Sequence, residues 1–146
     1  MKSFYKMSES LKLENQLCFP LYAAARKVTA KYTPYLKPLG LTYTQYIAMM
    51  VLWDKKEASV GELCEKLYLD NGTLTPLLKK LEAEGYVTRT RSEEDERVVK
   101  IRLTEKGAAL EEKCAHIPAA VGSCIPLDKE KAYFLYTQLY DLLKAI

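Results

Sequence analysis

The sequence is poor in the residues that form metal sites. Among 146 residues there is one histidine, His116, and there are four cysteines, at positions 18, 64, 114 and 124. No two cysteines have the short spacing of a zinc ligand set, so the sequence predicts no metal site and no cofactor. We expect the His116 side chain to face solvent rather than to have a catalytic role.

Long apolar runs are also missing. No stretch is long and apolar enough to cross a bilayer, and the N-terminus lacks the apolar segment and cleavage site of a secretory signal. We therefore expect a cytoplasmic protein whose cysteines are reduced thiols rather than structural disulfides. The length predicts one domain, residues 1–146, and there is no internal repeat or low-complexity linker.

A strong excess of one charge is absent, since the net charge is only +3. Such a small net positive charge does not by itself indicate a protein that binds nucleic acid. The distribution does, because seven basic residues fall within one short segment, and a local cluster of this kind is the footprint of a DNA-binding surface. The seven are Lys79, Lys80, Arg89, Arg91, Arg97, Lys100 and Arg102.

The segment from Val60 to Thr104 predicts a helix, a turn, a second helix and a basic hairpin. A capping box, Ser59 with Glu62, opens the first helix. The second helix, about 71–84, has leucines 74, 77, 78 and 81 on one buried stripe. Two strand-like runs, 87–91 and 98–103, flank a polar tip. This order predicts a mainly α protein with a small β-hairpin wing (α+β), a winged helix-turn-helix.

The exposed side of the second helix and the wing carry the predicted DNA contacts. Short polar side chains near a helix N-terminus can reach base edges, and the lysines after them can meet phosphates. Within the wing, Arg97 is the candidate for minor-groove insertion, and Asp95 is expected to hold the tip in shape. The full predicted set is Asn71, Thr73, Thr75, Pro76, Lys79, Lys80, Arg89, Arg91, Asp95 and Arg97.

The two ends of the chain predict dimerisation helices, at about 11–39 and 105–146, around a DNA-binding lobe at about 40–104. Residues 1–10 are polar and expected to be loose. Apolar stripes follow near the start of the chain and in the last helix, which Asp128 caps, and such stripes need a partner helix. Pro20 interrupts the first stripe, so that helix either kinks there or begins its regular part at about Pro20. Cys64 and Cys114 are expected in the core.

Several motifs resemble one family of bacterial regulators. Asp95-Glu96-Arg97, followed by Ile101-Arg102-Leu103-Thr104, is similar to the wing of the MarR family. Residues 69–82 resemble the organic-hydroperoxide-sensing branch of that family, the OhrR type. Asn15-Gln16-Leu17-Cys18-Phe19 and Tyr22-Ala23-Ala24 resemble the reactive-cysteine segment of the same branch. The resemblance covers nearly the whole chain and departs at Pro20, where the family more commonly has a helix-compatible residue.

The resemblance implies a MarR-like homodimeric repressor. It would bind double-stranded DNA at a pseudo-palindromic operator and release it when an organic hydroperoxide oxidises Cys18. Only a thiolate attacks a peroxide quickly, and the resemblance gives Tyr32 and Tyr43 the role of hydrogen-bonding to the sulfur. Cys124 matches the region of a resolving cysteine from the other subunit, although it could be incidental and a small cellular thiol could act instead.

Three other functions remain open from the residues. A MarR-type regulator gated by a small aromatic or phenolic ligand would use the same fold and DNA residues without cysteine chemistry. A thiol peroxidase would use Cys18 and Cys124, but there is no Cys-x-x-Cys, no arginine or threonine arranged around Cys18, and no use for a basic wing. A plain dimeric interaction module is the third. We therefore expect a regulator and not an enzyme.

Overall fold

The computed structural model describes residues 8–146. Residues 1–7 of the predicted loose start lie outside this part, and Glu9–Leu11 and Leu13–Asn15 form two 3-10 turns. Eight helices and three strands follow. The helices are α1 Cys18–Ala30, α2 Thr33–Leu36, α3 Tyr43–Lys55, α4 Val60–Leu67, α5 Asn71–Ala83, α6 Glu105–Cys114, α7 Ile117–Ser123 and α8 Lys129–Ala145; the strands are β1 Glu57–Ser59, β2 Val87–Arg91 and β3 Val99–Leu103.

The wing is a three-stranded antiparallel sheet in the order β1-β3-β2, not the two-stranded hairpin that the sequence predicted. Strand β1 has only three residues and pairs Ala58 with Ile101 of the central strand. The predicted start of β3 at Val98 was wrong by one residue, because the Val98 N–H bonds the carbonyl of Asp95 within the tip. Strand β1, which follows α3 directly in the chain, joins the wing to the end of that helix.

Local start signals in the sequence set the helix boundaries. The predicted capping box of Ser59 with Glu62 is present, and a second capping box joins Thr42 and Gln45 at the start of α3. The predicted N-cap Asp128 is confirmed, since it accepts from the Lys131 N–H, and Thr104 caps α6 by accepting from the Gly107 N–H. Such caps satisfy amide groups that a helix N-terminus leaves without partners.

Two prolines coincide with the ends of the preceding helices. The helix predicted beyond Thr104 is divided, so that α6 ends at Cys114 and Pro118 lies in the first turn of α7. Helix α1 ends at Ala30, and Pro34 lies in the first turn of α2. In each case the last helical residue is four positions before the proline. A proline lacks the N–H that would bond the carbonyl four residues before it, and its ring crowds that carbonyl. A helix therefore tends to end at that residue.

One core joins α3, α4 and α5 to the sheet and to the start of α6. Leu52, Leu63 and Ile101 are fully buried in it. The Trp53 indole N–H donates to the Gly107 carbonyl at 2.9 Å. Gly107 packs so closely that a Cβ there would collide with the Tyr86 carbonyl oxygen. The predicted DNA-binding lobe and the first turn of α6 therefore form one packed unit.

The terminal helices have no buried residue within the chain. Neither α1 nor α8 buries a side chain, although both carry large apolar residues. Leu17 of the α1 N-cap is 83% exposed, and Tyr133 of α8 is 70% exposed. The apolar surface that a partner helix would cover is thus present, and the division into dimerisation helices and lobe stays a prediction.

The other two cysteines and the histidine were partly predicted. Cys114 is buried, as expected. Cys64 was expected in the core but is only half-buried, because α4 ends one turn later and its Sγ faces the start of α5, 3.5 Å from Asn71 Oδ1. His116 is exposed, and its ring centre lies 6.0 Å from the Tyr35 ring centre, with the two ring planes at 71°.

Candidate DNA interface and redox site

Helix α5, the predicted recognition helix, is preceded by the N-cap Asp70, which was not singled out from the sequence. Asp70 Oδ1 accepts the Thr73 N–H at 2.8 Å, and Oδ2 accepts the Thr73 hydroxyl at 2.9 Å. The Thr73 N–H, and then its hydroxyl, hold the pKa of Asp70 below its usual value. An aspartate directly before the apolar stripe was the available signal. Because the Thr73 hydroxyl donates its hydrogen to Asp70, only its oxygen, as an acceptor, is left for the predicted contact with DNA.

The rest of the predicted α5 contacts lie opposite the leucine stripe. Asn71, Pro76, Lys79 and Lys80 are exposed, and Thr75 is half-buried. Pro76 lies inside the helix, where it leaves one upstream carbonyl without its helical N–H. The four buried leucines hold the helix across this gap. The helix thus presents exposed side chains opposite its leucine stripe, and Pro76 removes one of its backbone N–H donors.

The tip of the wing has the geometry predicted for Asp95 and Arg97. Asp95 Oδ1 accepts the Arg97 N–H at 3.0 Å and its Nε–H at 3.1 Å, and Oδ2 accepts from Nη2 at 3.3 Å. The guanidinium and then the amide of Arg97 hold the pKa of Asp95 below its usual value. The Arg97 side chain is nevertheless 90% exposed. The carboxylate therefore orients an arginine that projects into solvent.

Acidic residues engage several of the other wing cations. Arg89 Nη1 lies 3.6 Å from Glu82 Oε2 of α5, and the Arg89 N–H donates to Oε1 at 3.2 Å. Glu57 of β1 accepts from Arg102 Nε at 2.7 Å and lies 3.8 Å from Lys100 Nζ. The sequence placed Arg89 at DNA, whereas the structure places it against the recognition helix.

Three predicted DNA-binding cations, Lys79, Lys80 and Arg91, have no carboxylate partner among residues 8–146. Lys79 and Lys80 are exposed and form no ion pair among residues 8–146. Arg91 donates only to the Glu96 carbonyl, at 3.2 Å. Together with Arg97 they give each chain a group of cations on the recognition helix and wing that is available for DNA.

Cys18 is the first residue of α1 and is exposed. Leu17 occupies the N-cap without a side-chain hydrogen bond, and the first turn of α1 contains no acidic residue. The amide end of a helix carries partial positive charge. The predicted peroxidatic sulfur therefore lies at an uncapped helix N-terminus that no carboxylate of the same turn opposes.

Tyr32 and Tyr43 lie together, as the predicted site requires. Their ring centres are 4.9 Å apart, and Tyr46 lies 5.8 Å from Tyr32. Burial, and then the neighbouring Tyr32, raise the pKa of Tyr43. Its phenol therefore keeps its proton at neutral pH and can donate a hydrogen bond.

One chain does not bring Cys18 to this tyrosine pair. Cys18 begins α1, and Tyr32 follows its last residue, Ala30, by two positions. At 1.5 Å per residue the fourteen steps between them span roughly 21 Å. The contact predicted between the sulfur and the phenols cannot form along a single α1.

Cys124, the predicted resolving thiol, lies at the C-terminal end of α7. It is exposed, and its Sγ donates to the Ala120 carbonyl at 3.4 Å. Helix α7 ends one residue before it, at Ser123. Cys124 is thus an accessible thiol outside the core.

Comparison with known proteins identifies the family. The model of the family described as "Transcriptional regulator SarA/Rot" matches residues 30–114. The organic hydroperoxide resistance transcriptional regulator of Bacillus subtilis is 48% identical over 94% of each chain. The chain belongs to the MarR family, in the branch of the organic hydroperoxide resistance regulators. The resemblance inferred from the wing and the Cys18 segment is confirmed.

Solved MarR-family structures extend the comparison to DNA complexes. Reduced AbfR bound to DNA has a TM-score of 0.77 and 36% identity, over 94% of this chain and 95% of that one. Overoxidized AbfR bound to DNA has a TM-score of 0.76 and 35% identity, over 94% and 98%. AbfR is a protein of Staphylococcus epidermidis. The predicted winged helix-turn-helix fold is therefore confirmed.

Two kinds of feature are absent from residues 8–146 of this MarR-family chain. No helix within residues 8–146 has the length and apolar character of a membrane span. No group of three or more histidine, cysteine or acidic side chains in the same range could hold a metal ion.

Proposed function

We propose that this MarR-family protein is a homodimeric repressor that senses organic hydroperoxides through Cys18 and acts on DNA in the cytoplasm. The observation that carries the proposal is the exposed Cys18 at the start of α1. It occurs in a chain that is 48% identical to an organic hydroperoxide resistance regulator along nearly its whole length.

The DNA half of the proposal rests on the exposed side of the lobe. Two copies would each place α5 in the major groove and a wing along the minor groove, so that a pseudo-palindromic operator matches the twofold axis. Lys79, Lys80 and Arg91 then meet phosphates, and Arg97 enters the minor groove under the control of Asp95. Arg89, paired with Glu82, holds the wing against α5.

The sensing half requires the second copy. Because roughly 21 Å separates Cys18 from Tyr32 along one α1, the phenols that reach Cys18 belong to the partner subunit. The uncovered apolar surface of α1 and α8 supports such pairing. Two phenol donors and the amide end of α1 then stabilise a thiolate by hydrogen bonding and by charge.

The proposed reaction transfers one oxygen atom to sulfur. The Cys18 thiolate attacks the terminal peroxide oxygen, an S–O bond forms, and the O–O bond breaks. The leaving alkoxide takes a proton and departs as an alcohol, so the cysteine is oxidised by two electrons to a sulfenic acid and the hydroperoxide is reduced. A second thiol can then displace water and form a disulfide.

Cys124 of the partner subunit is the proposed second thiol. AbfR has been solved on DNA in an overoxidized form, which shows that in that protein oxidation and DNA binding are compatible. We infer that in this chain the disulfide, rather than the added oxygen, shifts the dimer helices. Each lobe must match its groove, so a shift of a few ångströms releases the operator.

Operator binding titrated with cumene hydroperoxide tests this function. Wild type should lose binding and regain it with reductant, whereas Cys18→Ser should keep binding throughout. Cys124→Ser should form no disulfide-linked dimer on a non-reducing gel and should therefore keep the operator bound. The half-buried Cys64 supplies the control, since Cys64→Ser should behave as wild type.

The same titration separates the alternatives. A regulator gated by a small aromatic ligand would leave Cys18→Ser fully responsive to its signal. A thiol peroxidase would consume hydroperoxide over many turnovers with a thiol reductant, whereas the proposed sensor reacts once per reduction. Binding of wild type that persists at excess hydroperoxide would exclude the sensing role and leave a DNA-binding MarR-family protein.

A further inference from the structure

Pro20 is the third residue of α1, and its position explains where that helix starts. In a helix the N–H of residue 20 would bond the carbonyl of Gln16, but proline has no N–H and its ring crowds that carbonyl. Gln16 is extended, with φ −98° and ψ 117°, so its carbonyl points away from the helix axis. Leu17 is the first residue with helical angles.

The residues before Pro20 would otherwise favour a longer helix. Leu13, Glu14, Gln16 and Leu17 are all good helix formers. The structure instead has a separate 3-10 turn at Leu13–Asn15, closed by the Gln16 N–H on the Leu13 carbonyl at 3.1 Å. Pro34 and Pro118 mark helix ends in this chain by the same four-residue relation.

The consequence falls on Cys18. With the helix starting at this point, the N–H groups of Cys18 and Phe19 precede the first helical hydrogen bond, from Leu21 to Leu17. No side chain caps them. The two 3-10 turns before α1 and the residue between them carry three charged side chains, Glu9, Lys12 and Glu14. Lys12 pairs with Glu9 at 2.7 Å. A helix longer by one turn would place the sulfur in its interior, where amide groups bond carbonyls.

We propose that Pro20 is a positioning residue that keeps Cys18 in the first turn of α1 and thereby favours its thiolate. The inference rests on the proposed function of Cys18, because it matters to sensing only if that thiol meets the hydroperoxide. Pro20 itself touches neither oxidant nor DNA. It acts through the backbone, by excluding a helix start upstream of Leu17.

The test is the pH dependence of Cys18 alkylation by iodoacetamide in the full-length dimer, followed on the Cys18 peptide by mass spectrometry. In Pro20→Ala the midpoint should rise by roughly 0.2–0.7 pH unit, as expected when a helix N-terminal interaction is lost. Alkylation and oxidation by cumene hydroperoxide at pH 7 should slow roughly two- to fivefold. Far-ultraviolet circular dichroism should show more helix.

Pro118→Ala is the matched control, because Pro118 is also exposed and lies in the first turn of a helix remote in sequence from Cys18. Its profile should equal that of wild type. A serine N-cap restores a helix start at Cys18, so adding Leu17→Ser to Pro20→Ala should move the midpoint back. Pro20→Gln repeats the measurement if Pro20→Ala aggregates. Reduced operator binding should be unchanged in every variant.

An unchanged midpoint in Pro20→Ala, or a lowered one, overturns the proposal. So does a raised midpoint that Leu17→Ser fails to restore, since the effect would then not come from the helix start. Alkylation needs no hydroperoxide, so this result is independent of the sensing test. If cumene hydroperoxide does not oxidise Cys18 in wild type, the proposed function is contradicted. The alkylation profile would still decide whether Pro20 favours the Cys18 thiolate.

Discussion

The pairing of the wing cations predicts which of them determine the salt dependence of operator binding. Arg91 has no carboxylate partner among residues 8–146, whereas Arg89 is paired with Glu82 and is only 22% exposed at its side chain. Each phosphate that a protein neutralises contributes about 0.9 to the slope of log affinity against log salt. Arg91→Ala should therefore reduce that slope, and Arg89→Ala should not.

The magnitude follows from the twofold symmetry. If Lys79, Lys80 and Arg91 each neutralise one phosphate per subunit, the dimer neutralises about six, and the slope is about −5. Arg91→Ala removes two contacts per dimer and should lower the slope by about 1.8. Arg89→Ala should leave the slope unchanged and reduce the free energy of unfolding by on the order of 1 kcal/mol, since it breaks a half-buried ion pair.

Fluorescence anisotropy with a labelled operator, from 50 to about 300 mM salt, measures the slope. Lys113→Ala, an exposed cation on α6, is the matched control and should behave as wild type. A smaller slope for Arg89→Ala would show that Arg89 leaves Glu82 to meet a phosphate, as the sequence alone suggested. An unchanged slope for Arg91→Ala would refute the assignment of phosphate contacts from ion pairing.

Two further predictions concern single side chains. Burial raises the pKa of Tyr46 to about 12. The neutral phenol therefore stabilises the fold fully below pH 10, and this contribution is lost as the pH rises towards 12. Between pH 8 and 11, wild type should lose about 1 kcal/mol more unfolding free energy than Tyr46→Phe, measured by urea denaturation; equal losses would contradict the burial argument. Asp95→Asn should weaken operator binding roughly two- to fivefold, because Arg97 loses its charged partner. The exposed tip should leave the thermal midpoint unchanged, and wild-type affinity in anisotropy would show that Arg97 needs no such orientation.

Signals within a few residues predicted most of the fold. Ser59 with Glu62 and the leucines of α5 each act over one or two helical turns, so a sequence pattern is sufficient to locate them. Strand β1 was missed because three residues are too few for an alternating pattern, and only its pairing with β3 makes it a strand. Pro20 left two possibilities open, and the extended Gln16 decided between them in favour of a helix start.

The candidate site was predictable in its residues but not in its pairings. Arg89 looked available to DNA because nothing in the sequence shows that Glu82 of α5, seven positions earlier, pairs with it. Cys18, Tyr32 and Tyr43 were grouped by resemblance, which carries no distances. The length of α1 separates them within a chain, and that separation depends on a helix boundary rather than on any motif.

The close packing at Gly107 fixes the DNA-binding lobe rigidly to the first turn of α6. Besides the Trp53 contact, the Thr104 hydroxyl donates to the Gly85 carbonyl at 2.6 Å, and Lys106 Nζ donates to the Glu84 carbonyl at 2.6 Å. These bonds fasten the first turn of α6 to both the end of the recognition helix and the wing. A rotation of α6 therefore carries α5 and the wing with it as one body. Helix α6 ends at Cys114, and a small change of direction at the break before α7 would become a large displacement at the tip of the wing.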